Sequence, residues 1–456
     1  MDNTSNIFNL ASTGLKFAEK SGGMLAEIYF SLNDYINIDI EENSIKNNEI
    51  GSDYGVGIRL INQKGSLGFA FTNRLDQKYI EKMTKNAASM MRVGTEDPDF
   101  KNLPPRYENY NQVKGLYDKN IKNLPIEDSI KYVANLIKIC DEDELAVSQS
   151  GNFSSSYNKT FIFNTNGLEV KSKTTVCSIS SHVIVKDQLT KDTSFGFENQ
   201  IKRNLKEINS EQVIKAALNS AKRNLNRKKI KSTKVPIILT PKGVISFILR
   251  PLASAINAET FQYKRSFLVG KRGESIGPSF LNIEDNALVD GAVGSATFDG
   301  EGVPCKNKKV IEKGIFLKSG LLHNTYTANK EGVESSGNAA RNSYGSLPSI
   351  GISNLILQAG ESTRKEMIGD VKEGIFLDYT GDRPNISTGD FSGLILQGNL
   401  IKNGEISDPL NETMFGINLL DLFNRIEEVS KEVKIYGPYQ APYVKIKDVQ
   451  IIGSAI

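Results

Sequence analysis

The sequence offers few groups able to do chemistry. It has two histidines, His182 and His323, and three cysteines, Cys140, Cys177 and Cys305. Cys305 and His323 form a candidate Cys/His combination. A thiol needs a nearby base to become a nucleophile, and no third residue in the sequence orients this pair. Asp299 and Glu301 lie among glycines in TFDGEGVPC. Two such carboxylates could hold a cation or polarise water, or they could complete turn hydrogen bonds. His182, in SISSHVIVKD, reads as a strand histidine rather than a metal ligand. In SSGNAAR, Ser336, Gly337, Asn338 and Arg341 combine a free backbone, an amide that donates and accepts, and a guanidinium fork. Such a loop can contact a peptide, or it can pin itself to the protein. The chain has no G-x-x-x-x-G-K-[ST] loop, no G-x-S-x-G elbow and no H-E-x-x-H pair.

One helix is written clearly enough to position a site. In TPKGVISFILRPLASAINAE, Ile245, Ile248, Leu249, Leu252 and Ile256 recur at three- and four-residue steps, one apolar stripe. Thr240 then Pro241 is a start signal, a hydroxyl cap before a residue that needs no donor in the first turn. Pro251 predicts a kink.

Around that helix the chain reads as α+β. Residues 1–100 and 126–230 each read as helix, several strands, helix, a duplicated unit in which GSLGFAFT and TSFGFENQ fall at matching places. The first unit has strand-like AEIYFSL, YINIDIE, GVGIRLI and SLGFAFT; the second has ELAVSQSGNF, SYNKTFIFN, EVKSKTTV and SHVIVKD. A polar, proline-punctuated linker over 101–125 separates them. From 235 to 456, short apolar runs alternate with glycine, which predicts a β-rich, barrel-like domain with the helix at its N-terminal edge.

Between the halves, Lys222, Arg223, Arg227, Lys228, Lys229, Lys231 and Lys234 make a basic run. Without interleaved aromatic residues it reads as a solvated helix end rather than a nucleic-acid patch. The net charge of +3 gives no further reason to expect nucleic acid. No apolar stretch approaches the roughly 20 residues a membrane span needs. The odd, scattered cysteines and the lack of a secretory signal predict a reducing cytoplasm.

Several stretches occur together in order: GVGIRLINQKGSLGFAFTNRLD, RSFLVGKRGESIG, TFDGEGVPCKNKKVIEKG, YTANKEGVESSGNAAR, LQAGESTRKEMIGDVKEGIFL and TGDFSGLILQGNLIKNGEI. They resemble the TldD/PmbA family, also called the modulator of DNA gyrase family, across nearly the whole chain. The resemblance implies cytoplasmic processing of unstructured peptides. One branch, TldD-like, carries zinc on an H-E-x-x-x-H helix completed by a cysteine near the C-terminus. The other, PmbA or TldE, is a partner without that site. Counting back from RSFLVG places the motif at Leu249, Arg250 and Ser254. None suits its assigned role, and no cysteine follows Cys305. The resemblance therefore implies a chain with no zinc of its own, paired with a TldD-like subunit that holds it. Two alternatives stand beside this expectation: a hydrolase with its own non-zinc site, or a regulator binding a DNA enzyme or nucleic acid.

Overall fold

A computed structural model describes residues 4–454 of the chain. Helix α1 (Thr4–Lys20), strands β1 (Leu25–Glu41), β2 (Ser44–Ile61) and β3 (Leu67–Thr72), and helix α2 (Gln77–Val93) form a first unit. Helix α3 (Ile126–Asp141), strands β4 (Ala146–Asn164), β5 (Glu169–Lys186) and β6 (Thr193–Lys202), and helix α4 (Ser210–Arg223) repeat it. The strands share one antiparallel sheet in the order β3-β2-β1-β4-β5-β6. The leading strands of the two units therefore pair at its centre.

The repeat extends to packing. Helix α2 buries Ile80, Thr84, Ala87, Ala88 and Met91, and α4 buries Val213, Ile214, Ala217, Leu218 and Ala221 on equivalent stripes. In each unit a strand glycine lets the helix backbone approach. A Cβ on Gly68 would lie 1.9 Å from the Ala87 oxygen and 2.6 Å from the Met91 nitrogen. On Gly196 it would lie 2.0 Å from the Ala217 oxygen and 2.6 Å from the Ala221 nitrogen. The glycines of GSLGFAFT and TSFGFENQ thus make the same contact at the same helical spacing.

The strands are fewer and longer than the sequence predicts. AEIYFSL and YINIDIE are one strand, β1; β4 joins ELAVSQSGNF to SYNKTFIFN, and β5 joins EVKSKTTV to SHVIVKD. The polar centre of β1 reads as a turn, yet Asn33 pairs with Asp53 on one side and Asn158 on the other in an unbroken ladder. A sheet with one open face tolerates polar residues there. Burial along β1 records the change of setting. Leu25 to Phe30 are all buried, whereas from Ile36 to Ile40 every second residue is. The helices of the two units cover one face at either end of the strand and leave Asp34, near its centre, exposed. The C-terminal domain covers the other only at the β1 start, where Tyr29 clusters with Phe298.

That domain is built on a closed five-stranded barrel of β7 (Thr233–Leu239), β8 (Glu373–Thr380), β9 (Asp390–Lys402), β10 (Met414–Asn418) and β11 (Tyr439–Ile452). Strand β7 runs parallel to β8 and antiparallel to β11, and the remaining neighbours are antiparallel. The predicted helix is not the domain's leading element. It follows β7, with which it shares one core. Within the glycine-punctuated stretch, VGSATFDGEG forms turns rather than a strand.

Three ties hold sheet and barrel domain together. Residues 101–118 cross as an irregular strap, in which the Tyr110 hydroxyl donates to the Gly302 carbonyl and Asn111 to the Cys305 carbonyl, both at 3.0 Å. Half-buried Arg203 donates to the carbonyls of Ala292, Val293 and Ser295 at 3.0, 2.6 and 3.2 Å. In the basic run, Lys222, Arg223, Arg227, Lys228 and Lys229 pair with Asp143, Asp378, Asp192, Asp408 and Glu412. These acids neutralise most of the run and fasten it in place. Among the described residues, no helix is long and apolar enough to cross a membrane.

Candidate functional site

Helix α5, residues 241–255, leaves β7 with its cap as predicted. Thr240 Oγ1 accepts from the Gly243 N–H at 3.3 Å and donates to Asp378 at 2.5 Å. Pro251 neither breaks nor ends the helix. Its ring lacks an N–H and would press on the carbonyl four residues back. The chain widens instead into a π segment over Ile245–Leu249, where the Arg250 N–H bonds the Ile245 oxygen. Phe247 anchors the segment edge-on against Phe391 and Phe415, at 5.1 and 5.2 Å between ring centroids.

The outer face of α5 floors a cleft of about 670 Å3. Arg250 and Ser254 line it, walled by Tyr379, Asp382 and Tyr439. Leu249 points the other way and is 0% exposed, inside the barrel core. The three positions matched to the zinc motif therefore do not converge. Arg250 lies 5.9 Å from the Tyr439 ring centroid, a cation–π contact. Ser254 Oγ donates to the Arg250 carbonyl at 3.3 Å. A second cavity, of about 580 Å3, continues the cleft between α5 and β6. The two share Ser246, Arg250, Tyr379 and Tyr439. Phe195 and Phe197 on β6 flank Tyr379 edge-on, and exposed His182 stacks on Phe195. One continuous groove results, apolar and aromatic at one end and polar at the other.

The other candidates are placed elsewhere. Cys305 is 3% exposed and donates weakly to the Gly337 carbonyl at 3.6 Å. Burial, and then the Asp299 charge, push its thiol up to about 12. His323 does not serve it as a base; its Nε2 lies 3.4 Å from Glu331. Iodoacetamide should therefore leave Cys305 unlabelled in the folded chain and label it once urea unfolds the protein. Rapid labelling of Cys305 in the native state near pH 8 would restore a nucleophilic role.

Asp299 completes a turn, accepting from the N–H groups of Glu301, Val303 and Ala339 at 2.9–3.0 Å. Glu301 accepts from Arg59 and from the Thr325 N–H, at 2.9 and 2.8 Å. The SSGNAAR loop is turned inward. Asn338 donates to Asp285 and to the Gly351 carbonyl and accepts from Lys308, all within 3.0 Å. Ser336 accepts from the His323 N–H at 2.7 Å. Gly337 takes φ +71°, where a Cβ would also meet the Pro304 carbonyl at 2.7 Å. Arg341 pairs with Glu27, donates to the Gly300 and Ser346 carbonyls, and covers the Tyr29 ring.

The residues that sequence reasoning missed are Glu27 and Arg59. They sit opposite each other on β1 and β2, and Arg59 bridges Glu27 to Glu301 at 2.8 and 2.9 Å. The available signal was a single charge inside each apolar run, A-E-I and I-R-L.

Comparison with known proteins places this geometry. Profiles described as PmbA/TldA metallopeptidase domain 1, central domain and C-terminal domain match residues 26–90, 119–225 and 232–453. The chain belongs to the PmbA/TldD family. A Methanocaldococcus jannaschii protein is 30% identical over 431 residues, 93% of this chain and 96% of that one. A "Metalloprotease PmbA homolog" of Buchnera aphidicola is 26% identical, covering 98% of this chain and 97% of its own. TldE from Thermococcus kodakarensis shares the fold, with a TM-score of 0.87 at 22% identity, over 97% of this chain and 100% of that one.

In this PmbA/TldD chain the donor set at the motif positions does not suit zinc. Leucine has no lone pair to give, arginine stays protonated and serine is a weak ligand. Among the described residues, no group of three His, Cys, Asp or Glu side chains is placed to hold a metal ion.

Proposed function

We propose that this chain is the non-catalytic subunit of a heteromeric TldD/TldE-type zinc metallopeptidase that acts on unstructured peptides. The outward face of α5 carries the proposal. A fixed cation, Arg250, and a hydroxyl, Ser254, stand at motif positions in the cleft, with Leu249 in the core. Peptide hydrolysis needs a polarised carbonyl and an activated water at one point, and that face supplies neither. It supplies a wall. Arg250 can bond peptide carbonyls or carboxylates, and the aromatic end of the groove can take apolar side chains. Such a wall raises activity by ordering the substrate or the partner's site. The three cysteines are free and buried, which supports a reducing, cytoplasmic setting.

The test mixes this chain with a family member from the same cell that carries H-E-x-x-x-H. Peptidase activity should rise well above that of either chain alone, vanish with chelator, and survive Cys305→Ala in this chain. Elemental analysis of the isolated chain should find no stoichiometric zinc. One tightly held zinc per isolated chain, or peptide cleavage by this chain alone in chelator, would sink the proposal.

A further inference from the structure

Where α4 meets the barrel, a cavity of about 210 Å3 has more cation on its walls than acid. Arg223, Lys242, Arg364 and Lys434 face it, against Asp378 and Glu198. Both acids are already engaged. Asp378 accepts from Arg223 at 2.8 Å and from Thr240 at 2.5 Å. Glu198 pairs with Lys242 and accepts from the Tyr436 hydroxyl, each at 3.3 Å. Four cations against two acids leave an excess of two positive charges.

The donors there are under-used. The Nε of Arg223, the Nε of Arg364 and the hydroxyl of Ser220 are buried with no hydrogen-bond partner. Ser220 is 7% exposed and lines the cavity. Among the described residues, the Arg364 guanidinium makes only ring contacts, 5.3 Å from the centroids of both Phe376 and Tyr443. Arg223 lies over the same Phe376 ring at 5.5 Å. Buried donors normally find partners, and an unpaired one costs about 1–3 kcal/mol. Three such donors around one positively charged cavity, steadied by an aromatic ring, describe a prepared site. Its low-dielectric walls strengthen any charge-assisted bond formed inside.

We propose that this cavity binds one oxyanionic group, a carboxylate or a phosphoryl group, with Arg364 as the principal fork and Arg223 and Ser220 completing the cradle. The cavity adjoins the aromatic end of the groove, sharing Lys242 and Tyr436 with it, and none of the zinc-motif positions lines it.

Calorimetry on the full chain at low salt tests it with two probes. One is inorganic phosphate; the other is a short peptide with a free C-terminal carboxylate, run beside its C-terminal amide. One probe should bind at one per chain and weaken as salt rises. Arg364→Gln should weaken binding about tenfold or more, and Ser220→Ala about threefold, as expected for lost charge-assisted and neutral bonds. Phosphate binding alone assigns a phosphoryl site. Binding of the free acid but not the amide assigns a carboxylate site. No saturable binding of either probe at millimolar concentration overturns the proposal, and so does a folded Arg364→Gln that binds as well as the parent. Should Arg364→Gln fail to fold, Lys434→Gln at the exposed Lys434, which lines the cavity, decides: unchanged affinity and salt dependence overturn the proposal.

Discussion

Arg59→Met should cost about 3–5 kcal/mol of folding free energy, the usual penalty for stranding buried charge. Arg59 holds Glu27 at 2.8 Å and Glu301 at 2.9 Å, and both carboxylate side chains are 1% exposed. Arg341 holds the second Glu27 oxygen, and the Thr325 N–H the second Glu301 oxygen. The network spans β1, β2 and two C-terminal loops, so it fixes the sheet against the barrel domain. Without Arg59, Glu27 keeps Arg341, whereas Glu301 is left buried with the Thr325 N–H and no cation. Urea unfolding should show a lower midpoint, and adding Glu301→Gln should return part of the loss, because the two changes share a partner. A loss below about 1 kcal/mol would place the network among surface-like pairs. The same sheet-to-barrel geometry sets the groove between β6 and α5, so the variant should also reduce any activity gain seen on mixing with a TldD-like chain, the gain proposed above.

The carboxylates beside this network give stability a signed pH dependence. Burial, and then the Glu301 charge, raise Asp299 to about 7. Burial also acts to raise Glu301, but the Arg59 charge and the Thr325 N–H outweigh it and hold that group below its usual range. A raised acid binds a proton in the folded chain that the unfolded chain has released. Its contribution to stability is therefore fullest at low pH and is lost as pH rises from about 4 to about 7. The Glu301 contribution has the opposite sign, present above its unfolded value and lost as pH falls. Between pH 5 and 8, Asp299→Asn should remove a fall in stability of about 2 kcal/mol. Equal pH slopes in parent and variant over that range would place the titration elsewhere.

Local signals proved legible where local physics decides. The Thr240–Pro241 cap, the apolar stripe of α5 and the paired strand glycines follow from contacts within a few residues or one repeat. AEIYFSL and YINIDIE are not separate strands, because the polar Asn33 and Asp34 between them have ladder partners on both neighbouring strands. Pro251 marks the place of an irregularity but not its form, a π segment over Ile245–Leu249 that absorbs what a regular helix could not. In sequence the candidate residues carry two readings, chemistry or the pinning of turns and loops. Asp299, Glu301, Asn338 and Arg341 have the residue types of chemistry, but their partners come from distant strands. Arg59 and Glu301 are 242 positions apart. Residue type states what a group can do; only the fold states whether its bonds are already made. The groove over α5 was half visible, its helix from the sequence and its aromatic wall on β6 only from the sheet.

Gly196→Ala should be about as damaging as Arg59→Met, and Gly68→Ala should match it. Each new Cβ would lie 1.9–2.0 Å from a helix carbonyl oxygen, Ala217 for Gly196 and Ala87 for Gly68. Contacts of this kind ordinarily sit well beyond 3 Å, so helix and sheet must part by more than about 1 Å along the stripe. Overpacking of a core costs about 1–3 kcal/mol when side chains can yield. Here the obstacle is helix backbone, a carbonyl oxygen and an amide nitrogen that cannot rotate away, so the loss should reach at least about 3 kcal/mol. Gly167→Ala separates this effect from the general cost of losing a glycine. Gly167 has φ +79° and nothing within 4 Å of a new Cβ, so it should lose only the left-handed backbone preference, roughly 1 kcal/mol. Urea unfolding of the three variants gives the ranking. If Gly196→Ala loses no more than Gly167→Ala, helix α4 is not seated on β6 as described. If Gly68→Ala and Gly196→Ala differ by several kcal/mol, the two units share a chain order but not the packing that makes them equivalent.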